Sequence, residues 1–347
     1  MAYEQLRARQ PSGAARRTGA AVAGFSEPAI EVAGVTKRFG KTAALRGVSF
    51  TASAGAVTAL LGPNGAGKTT MIRVLSTLLR PDAGTALVGG YDTARAPELV
   101  QAIIGLTGQA LAVDGKLSGL ENLTMFGRLH RLPWPVVRQR SVRLLEAFGL
   151  TEAGKRPVKT FSGGMRRKLD LAVSLMAEPP VLFLDEPTTG LDPASRDALW
   201  GIIRGLVGHG TTVLLTTQYL TEADALADSV VFIDDGQVVA SGTPADLKAQ
   251  TGQVQVDLVA ESDADLARLT AALNAFQVAG DPLRRTVRVA IGQGGTGGVR
   301  ELGDIVAAAV RTGAHIERFA LHEPDLDDVY RRLAGRNRSV VSTEREA

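Results

Sequence analysis

Residues 57–70 read VTALLGPNGAGKTT, and the fold of the chain turns on them. Residues 57–61 are almost wholly apolar, the pattern of a strand buried on both faces of a parallel sheet. That run leads directly into Gly62-Pro63-Asn64-Gly65-Ala66-Gly67-Lys68-Thr69, which fits the phosphate-loop pattern G-x-x-x-x-G-K-[ST]. Residues 69–79 then show the apolar spacing of a helix, stopped by Pro81 and Gly84. Glycines without side chains let consecutive backbone N–H groups curl around phosphates, and the helix N-terminus adds positive potential at the same place. Lys68 is placed to reach the β- and γ-phosphates of a nucleotide, the Thr69 hydroxyl to ligate Mg²⁺, and Thr70 to add a further phosphate hydrogen bond. A merely glycine-rich turn needs neither the lysine nor the threonines.

A second half of the site ends the run VLFLDE, residues 181–186. Four apolar residues put Asp185 at the C-terminal tip of a buried strand, where α/β sheets carry their ligand groups. Asp185 would hold Mg²⁺ through water, and Glu186 would orient and polarise an attacking water. Without the phosphate loop, the same two acids would read as an ordinary strand end. A further apolar run, TTVLLTTQ (211–218), follows a helical segment at 197–207. Apolar strands alternating with helices predict a parallel sheet covered on both faces. Between the two halves, Phe161-Ser162-Gly163-Gly164-Met165 opens a helix. Ser162 and the glycines there make a second anion cradle of hydroxyl, backbone N–H and helix dipole. Two cradles in one chain suggest a nucleotide sandwiched between two copies. The run Arg166, Arg167, Lys168 reads as support for this motif and as a solvated helix face, with a nucleic-acid patch as the sharper alternative.

The rest of the chain sets bounds. Its 347 residues suggest two domains at roughly 150 residues each. The absence of cysteine excludes a disulfide framework, a thiol nucleophile and Cys-ligated zinc or iron–sulfur centres. Lys and Arg total 39 against 36 Asp and Glu, so no polybasic footprint argues for nucleic acid. No stretch approaches the roughly 18 uninterrupted apolar residues of a membrane span, and residues 1–28, rich in Ala, Gly, Ser and Arg, read as a disordered tail rather than a signal peptide. Residues 97–160 have a mainly helical pattern, clearest at VVRQRSVRLLEAFGL (136–150), and 229–242 read as a hairpin turning at Asp235 and Gly236. From 252 to 335 the order is β-α-β-β-α-β with a last helix, a ferredoxin-like plan, mildly acidic with nine arginines and twelve acids. In it GQGGTGG (292–298) reads as a flexible turn, not a phosphate loop, and Asp327 and Asp328 as a helix first turn, not a metal site. Residues 336–347 form a second tail.

Taken in order, these motifs resemble the ATP-binding subunits of ABC transporters over roughly residues 30–250. GPNGAGKTT matches the Walker A string, FSGGM the signature usually read LSGGQ, and VLFLDEP the Walker B string. TTGLDP then resembles the D-loop with Asp192, and TGQ the Q-loop with Gln109. Phe39 in TKRFGKTAAL occupies the place of the aromatic that stacks on adenine. The resemblance implies an ABC-type P-loop NTPase core over 29–251 with a helical subdomain at about 97–165. It implies ATP and Mg²⁺ as ligands, Gln109 among the groups near the metal, and catalytic roles for Lys68, Glu186 and the switch residue. Segments 107–123, 216–228 and 326–335 resemble the daunorubicin/doxorubicin-resistance subfamily. That resemblance implies a homodimer of nucleotide-binding subunits on the cytoplasmic face of the membrane. It also implies a separate permease for drug or lipid-like export and no nucleic-acid partner. The C-terminal domain would then serve in dimer contact or regulation. Two positions depart from the family pattern: Gln218 stands where most members carry the switch histidine, and Met165 replaces the signature glutamine. An amide still donates a hydrogen bond to γ-phosphate but carries no charge. Two rival readings stay open: a soluble ABC-type ATPase acting on ribosomes or DNA, and a regulatory clamp that binds ATP with little turnover.

Overall fold

The computed structural model describes residues 28–332 apart from 109, 252–253, 275, 277, 292–294 and 323. Gln109, residues 1–27 and 336–347 of the expected tails, and residues 292–294 of the glycine-rich segment lie outside the described residues. The rest of that segment, expected as a flexible turn, instead opens the helix Gly295–Arg311. The chain divides into two compact units, Met1–Pro244 and Ala245–Ala347.

In the first unit, two long strands, β1 (Ile30–Phe39) and β2 (Thr42–Ala52), form an antiparallel hairpin that is joined by β4 (Ala83–Val88) and β5 (Tyr91–Asp92) in the order β2-β1-β4-β5. A second sheet of six strands holds the motifs. Its order is β10 (Gln237–Gly242), β9 (Ser229–Asp234), β3 (Val57–Leu61), β8 (Thr212–Thr217), β7 (Val181–Asp185), β6 (Ile104–Thr107). Every pairing in it is parallel except β9–β10. β3, β7 and β8 are buried at every position, as a parallel sheet covered on both faces requires. Helix α1 (Lys68–Leu75) buries Met71, Ile72, Val74 and Leu75 in a core shared with residues of both sheets, among them Ile30, Val88, Leu60 and Phe183.

The sequence pattern of 97–160 is helical, and the structure corrects it in one place. Helix α2 (Pro97–Gln101) is short and is followed by β6, the edge of the six-stranded sheet. Four residues, Ile-Gly-Leu-Thr, are too few to show a period. Gly105 is there because the backbone comes close to its neighbours: a Cβ would stand 2.8 Å from Pro179 and 2.9 Å from the Ser174 carbonyl oxygen. Helices α3 (Gly119–Leu129), α4 (Trp134–Ala147) and α5 (Gly163–Ser174) make up the helical part, and α6 (Pro193–Gly208) and α7 (Leu220–Leu226) flank β8 in sequence.

In the second unit, after α8 (Pro244–Thr251), come β11 (Val254–Ala260), α9 (Asp263–Ala272), β12 (Val278–Asp281), β13 (Thr286–Ile291), α10 (Gly295–Arg311) and β14 (Ile316–His322). The sheet order is β12-β13-β11-β14, the β-α-β-β-α-β arrangement expected from the pattern. Alternate residues Val256, Leu258, Ala260, Val287 and Val289 pack against Leu269 and Ile305 of the two helices.

Candidate nucleotide site

The phosphate loop leaves β3 at the C-terminal edge of the six-stranded sheet and enters α1. Gly67 caps that helix with φ 107° and, having no side chain, leaves it without a side-chain cap. The free N–H groups of a helix start are the donors an anion needs. Two glycines are there for want of space: a Cβ on Gly62 would sit 2.1 Å from the Ile233 carbonyl oxygen, and one on Gly67 2.5 Å from that of Ala44. The Lys68 ammonium folds back over the loop, donating to the carbonyl oxygens of Gly62 (2.7 Å) and Pro63 (3.0 Å). It also stands 3.9 Å from Glu186 Oε1. Burial pulls its pKa down, and the Glu186 and Asp185 carboxylates oppose that shift.

β7 delivers the acids two strands away, with β8 between. The Thr69 hydroxyl donates to Asp185 Oδ1 at 3.2 Å, and Thr216 of β8 donates to the same oxygen at 2.6 Å. Glu186 is held in the left-handed region at φ 50°, uncommon for a residue with a side chain. Its N–H bonds the carbonyl (3.1 Å) and hydroxyl (3.0 Å) oxygens of Thr216, and Oε2 accepts from Thr189 at 3.2 Å. These contacts hold the strained turn that brings the carboxylate beside Lys68. A cavity of about 720 Å³ lies over this cluster, lined by Asn64, Gly65, Gly67, Lys68, Thr69, Thr70, Gly163, Arg167, Glu186 and neighbours.

A residue that the sequence reading assigned in part to a solvated face proves central. Arg167 is 7% exposed. Its guanidinium donates to the carbonyl oxygens of Asp185 (2.9 Å), Glu186 (3.0 Å), Pro187 (3.0 Å) and Gly108 (2.7 Å). Asp170, one helical turn on, stands 4.0 Å from it and accepts the Ala112 N–H at 2.7 Å. Burial raises the Asp170 pKa, against the pull of that N–H and of Arg167. The pair ties the segment flanking position 109 to the acidic strand end. The signal was the helical spacing: 167, 170 and 171 share the buried face of α5.

The remaining expected residues lie around this centre. Ser162 caps α5, its oxygen accepting the Met165 N–H at 3.2 Å, so its O–H stays available as a donor. Asp192 caps α6 through the N–H (2.9 Å) and hydroxyl (2.8 Å) of Ser195, which hold its pKa below the usual carboxylate range. Gly164 packs on the same serine: a Cβ there would lie 2.9 Å from Ser195 Oγ. Gln218 is exposed, one residue beyond β8, whose Thr217 pairs with Leu61 beside the phosphate loop. Phe39 is 48% exposed at the end of β1, with the Lys37 ammonium 6.0 Å from its ring centre. Phe39, Ser162, Gly164, Asp192 and Gln218 are not among the residues lining the cavity.

The donor set fits a Mg–nucleotide. Glycines keep the loop open where a Cβ would block it, a lysine faces the cavity, and a hydroxyl and a carboxylate meet at Thr69 and Asp185. Among the described residues, no cluster of three His, Asp or Glu side chains could hold a metal by itself. A phosphate-loop metal needs none, since phosphate oxygens and water complete its shell.

Residues 45–189 match the family model described as ABC transporter. The chain is 48% identical over 316 residues to the daunorubicin resistance ATP-binding protein DrrA3 of Streptomyces coeruleorubidus, covering 91% of this chain and 99% of the relative. It is 45% identical to the daunorubicin/doxorubicin resistance ATP-binding protein DrrA of Streptomyces peucetius, covering 92% and 96%. A solved structure described as the ATP binding subunit of an ABC transporter superposes with a TM-score of 0.59 at 30% identity, over 64% of this chain and 92% of that one. These likenesses extend across almost the whole length of the relatives, and the site has the loop, lysine and acids that ATP hydrolysis requires. The chain belongs to the ABC transporter family, as an ATP-binding, ATP-hydrolysing subunit of the daunorubicin-resistance type.

Proposed function

We propose that this ATPase drives export of a drug, antibiotic or lipid-like molecule through a separately encoded membrane permease, working as a homodimer at the cytoplasmic face of the membrane. The observation that carries this reading is the convergence of Lys68, Glu186 and Thr69 on one cavity, with Asp185 bonded to Thr69 behind it, in a chain 48% identical to a daunorubicin-resistance protein. ATP is the substrate. The loop N–H groups and Lys68 bind its phosphates, and Glu186, fixed by Thr189, orients a water in line with the γ-phosphorus and takes up part of its proton. Mg²⁺, held by Thr69, Asp185 through water, and Gln109, would neutralise charge on the phosphates. Ser162 and Gly164 of a second copy close over the γ-phosphate, and Gln218 donates an amide hydrogen bond to it. Phe39 supplies the adenine stack, and Asp192 shapes the dimer-facing loop. The helical region between residues 109 and 161 faces the permease, and the domain over 252–335 contributes to dimer contact or regulation.

The test co-expresses the chain with the membrane protein encoded beside it and measures ATP-dependent efflux. Lys68→Ala and Glu186→Gln should each abolish efflux while leaving the subunits at normal levels. Efflux that persists in either variant overturns the mechanism.

A further inference from the structure

The hairpin formed by α3 and α4 carries a surface that ATP hydrolysis does not use. Gly127 lets the two helices close tightly, because a Cβ there would stand 2.9 Å from both methyl carbons of Val137. That contact brings the two helix ends together at a tip where Leu129 is 68% and Trp134 55% exposed. Along α4, Trp134, Arg138 and Val142 follow at four-residue spacing on the exposed face, while Val137, Ser141, Leu144 and Leu145 point inward. Such a face is amphipathic a second time over, with apolar anchors set among cations.

The charge is lopsided. Residues 122–145 contain five arginines and neither Asp nor Glu. Residues 122–168 hold eleven Lys and Arg against two acids, a local balance of +9 in a chain whose total is +3. Arg140 is engaged, donating to Glu178 and to the Met176 carbonyl oxygen. Arg128, Arg131 and Arg138 are exposed, and among the described residues no carboxylate pairs with them. Clustered arginines beside an exposed Trp and Leu match an anionic bilayer surface: guanidinium groups pair with lipid phosphates, while indole and leucine enter the headgroup boundary. A nucleic acid would equally attract the charge but would leave Leu129 and Val142 without partners.

We propose that the α3–α4 hairpin docks directly on anionic lipid, through Arg128, Arg131 and Arg138 with Leu129 and Trp134 as anchors. This contact gives the subunit a second hold on the membrane beside its permease. It orients the helical region toward the bilayer independently of nucleotide.

The experiment uses the full chain and vesicles of phosphatidylcholine alone or mixed equally with phosphatidylglycerol. No permease is present, so failure here leaves the export reading untouched. The chain should float with the anionic vesicles, not with the neutral ones, and high salt should release it. Trp134 emission should shift to the blue on binding, a change absent in Trp134→Phe. Arg131→Glu/Arg138→Glu should weaken partition at least tenfold, on the scale of roughly fivefold for each arginine lost. Leu129→Ala/Trp134→Ala should weaken it as well. All these side chains are exposed, so nucleotide binding should be unchanged in every variant and shows that each one folds. Removing residues 1–27, with their own arginines, should leave binding intact. The proposal is overturned if the hairpin variants bind vesicles like the parent chain. It is overturned too if removal of the tail alone abolishes binding, or if the parent chain ignores vesicles and binds RNA or DNA through the same arginines.

Discussion

The Lys68 ammonium stands 3.9 Å from a carboxylate oxygen of Glu186, and the two side chains are 5% and 13% exposed. In the proposed reaction two groups so close serve opposite ends: the lysine binds phosphate charge, and the carboxylate orients water. Lys68→Ala should therefore weaken ATP binding at least tenfold and bring phosphate release to background. Glu186→Gln keeps the shape and its hydrogen-bond partners, so ATP binding should persist while turnover falls by about 10² or more. Fluorescent-nucleotide titration beside steady-state phosphate release separates the two. Equal loss of binding in both variants contradicts this division of labour.

Arg167 should be as costly to lose as any core residue. Arg167→Ala leaves four backbone carbonyl oxygens without their donor, and Asp170 buried without its cation. A loss of about 3 kcal/mol or more is expected in urea unfolding. Arg167→Lys keeps the charge but loses the planar fork that reaches several carbonyls at once, so it should recover less than half of that. Full recovery by lysine means the charge alone matters.

Gly62 and Gly65 predict opposite outcomes on one loop. Alanine at Gly62 would drive a methyl to 2.1 Å from the Ile233 carbonyl oxygen, so the loop or β9 must move. Gly62→Ala should cost about 2–4 kcal/mol and abolish nucleotide binding. Gly65, at φ 85°, has open space where its Cβ would go. Gly65→Ala meets only backbone strain, about 1 kcal/mol, and should remain folded. Thermal melts with and without ATP read both effects.

The central strands and the phosphate loop were legible because each is contiguous. An apolar run, a glycine pattern and a helix period all fall within residues 57–79, and the acids end their own strand. The rest depends on pairings between distant segments. β6 is four residues long and takes its conformation from pairing with β7, not from its own period. Arg167 read as one of three cations supporting the signature motif and a solvated helix face, since a local reading cannot see that carbonyls from residues 185–187 turn toward it. Thr216 shows the same limit: an unremarkable strand threonine gains its role from lying opposite Asp185 in the register.

Glu222 should make stability depend on pH. The residue is buried on α7, with Trp200 Nε1 donating to Oε1 at 3.3 Å. Burial raises its pKa above the ordinary 4.5. Between the unfolded and folded pKa values the native state keeps a proton that the unfolded chain has lost, so stability falls as pH rises through that window. Glu222→Gln removes this slope. The melting temperature of the variant relative to the parent should climb from pH 4.5 toward neutrality, and a constant difference would show that burial does not raise the carboxyl's pKa.

Gln218 decides whether the switch position needs charge or only a donor. It is exposed beyond the tip of β8, so substitutions there should change stability little. If the amide positions γ-phosphate, Gln218→Ala should lose about tenfold in turnover, and Gln218→His should stay within a few-fold of the parent at pH 8, where imidazole is neutral. Imidazole ionises near pH 6.5, so the histidine variant should acquire a limb in its pH–rate profile that the parent lacks. If a cation is required instead, Gln218→His should outpace the parent many-fold at pH 6, and the parent rate should be no higher than that of Glu186→Gln. That second pattern is the signature of a nucleotide clamp. The hydrogen-bond reading predicts the first, because in the proposed mechanism Lys68 already supplies the positive charge, 3.9 Å from the Glu186 carboxylate assigned to orient the water.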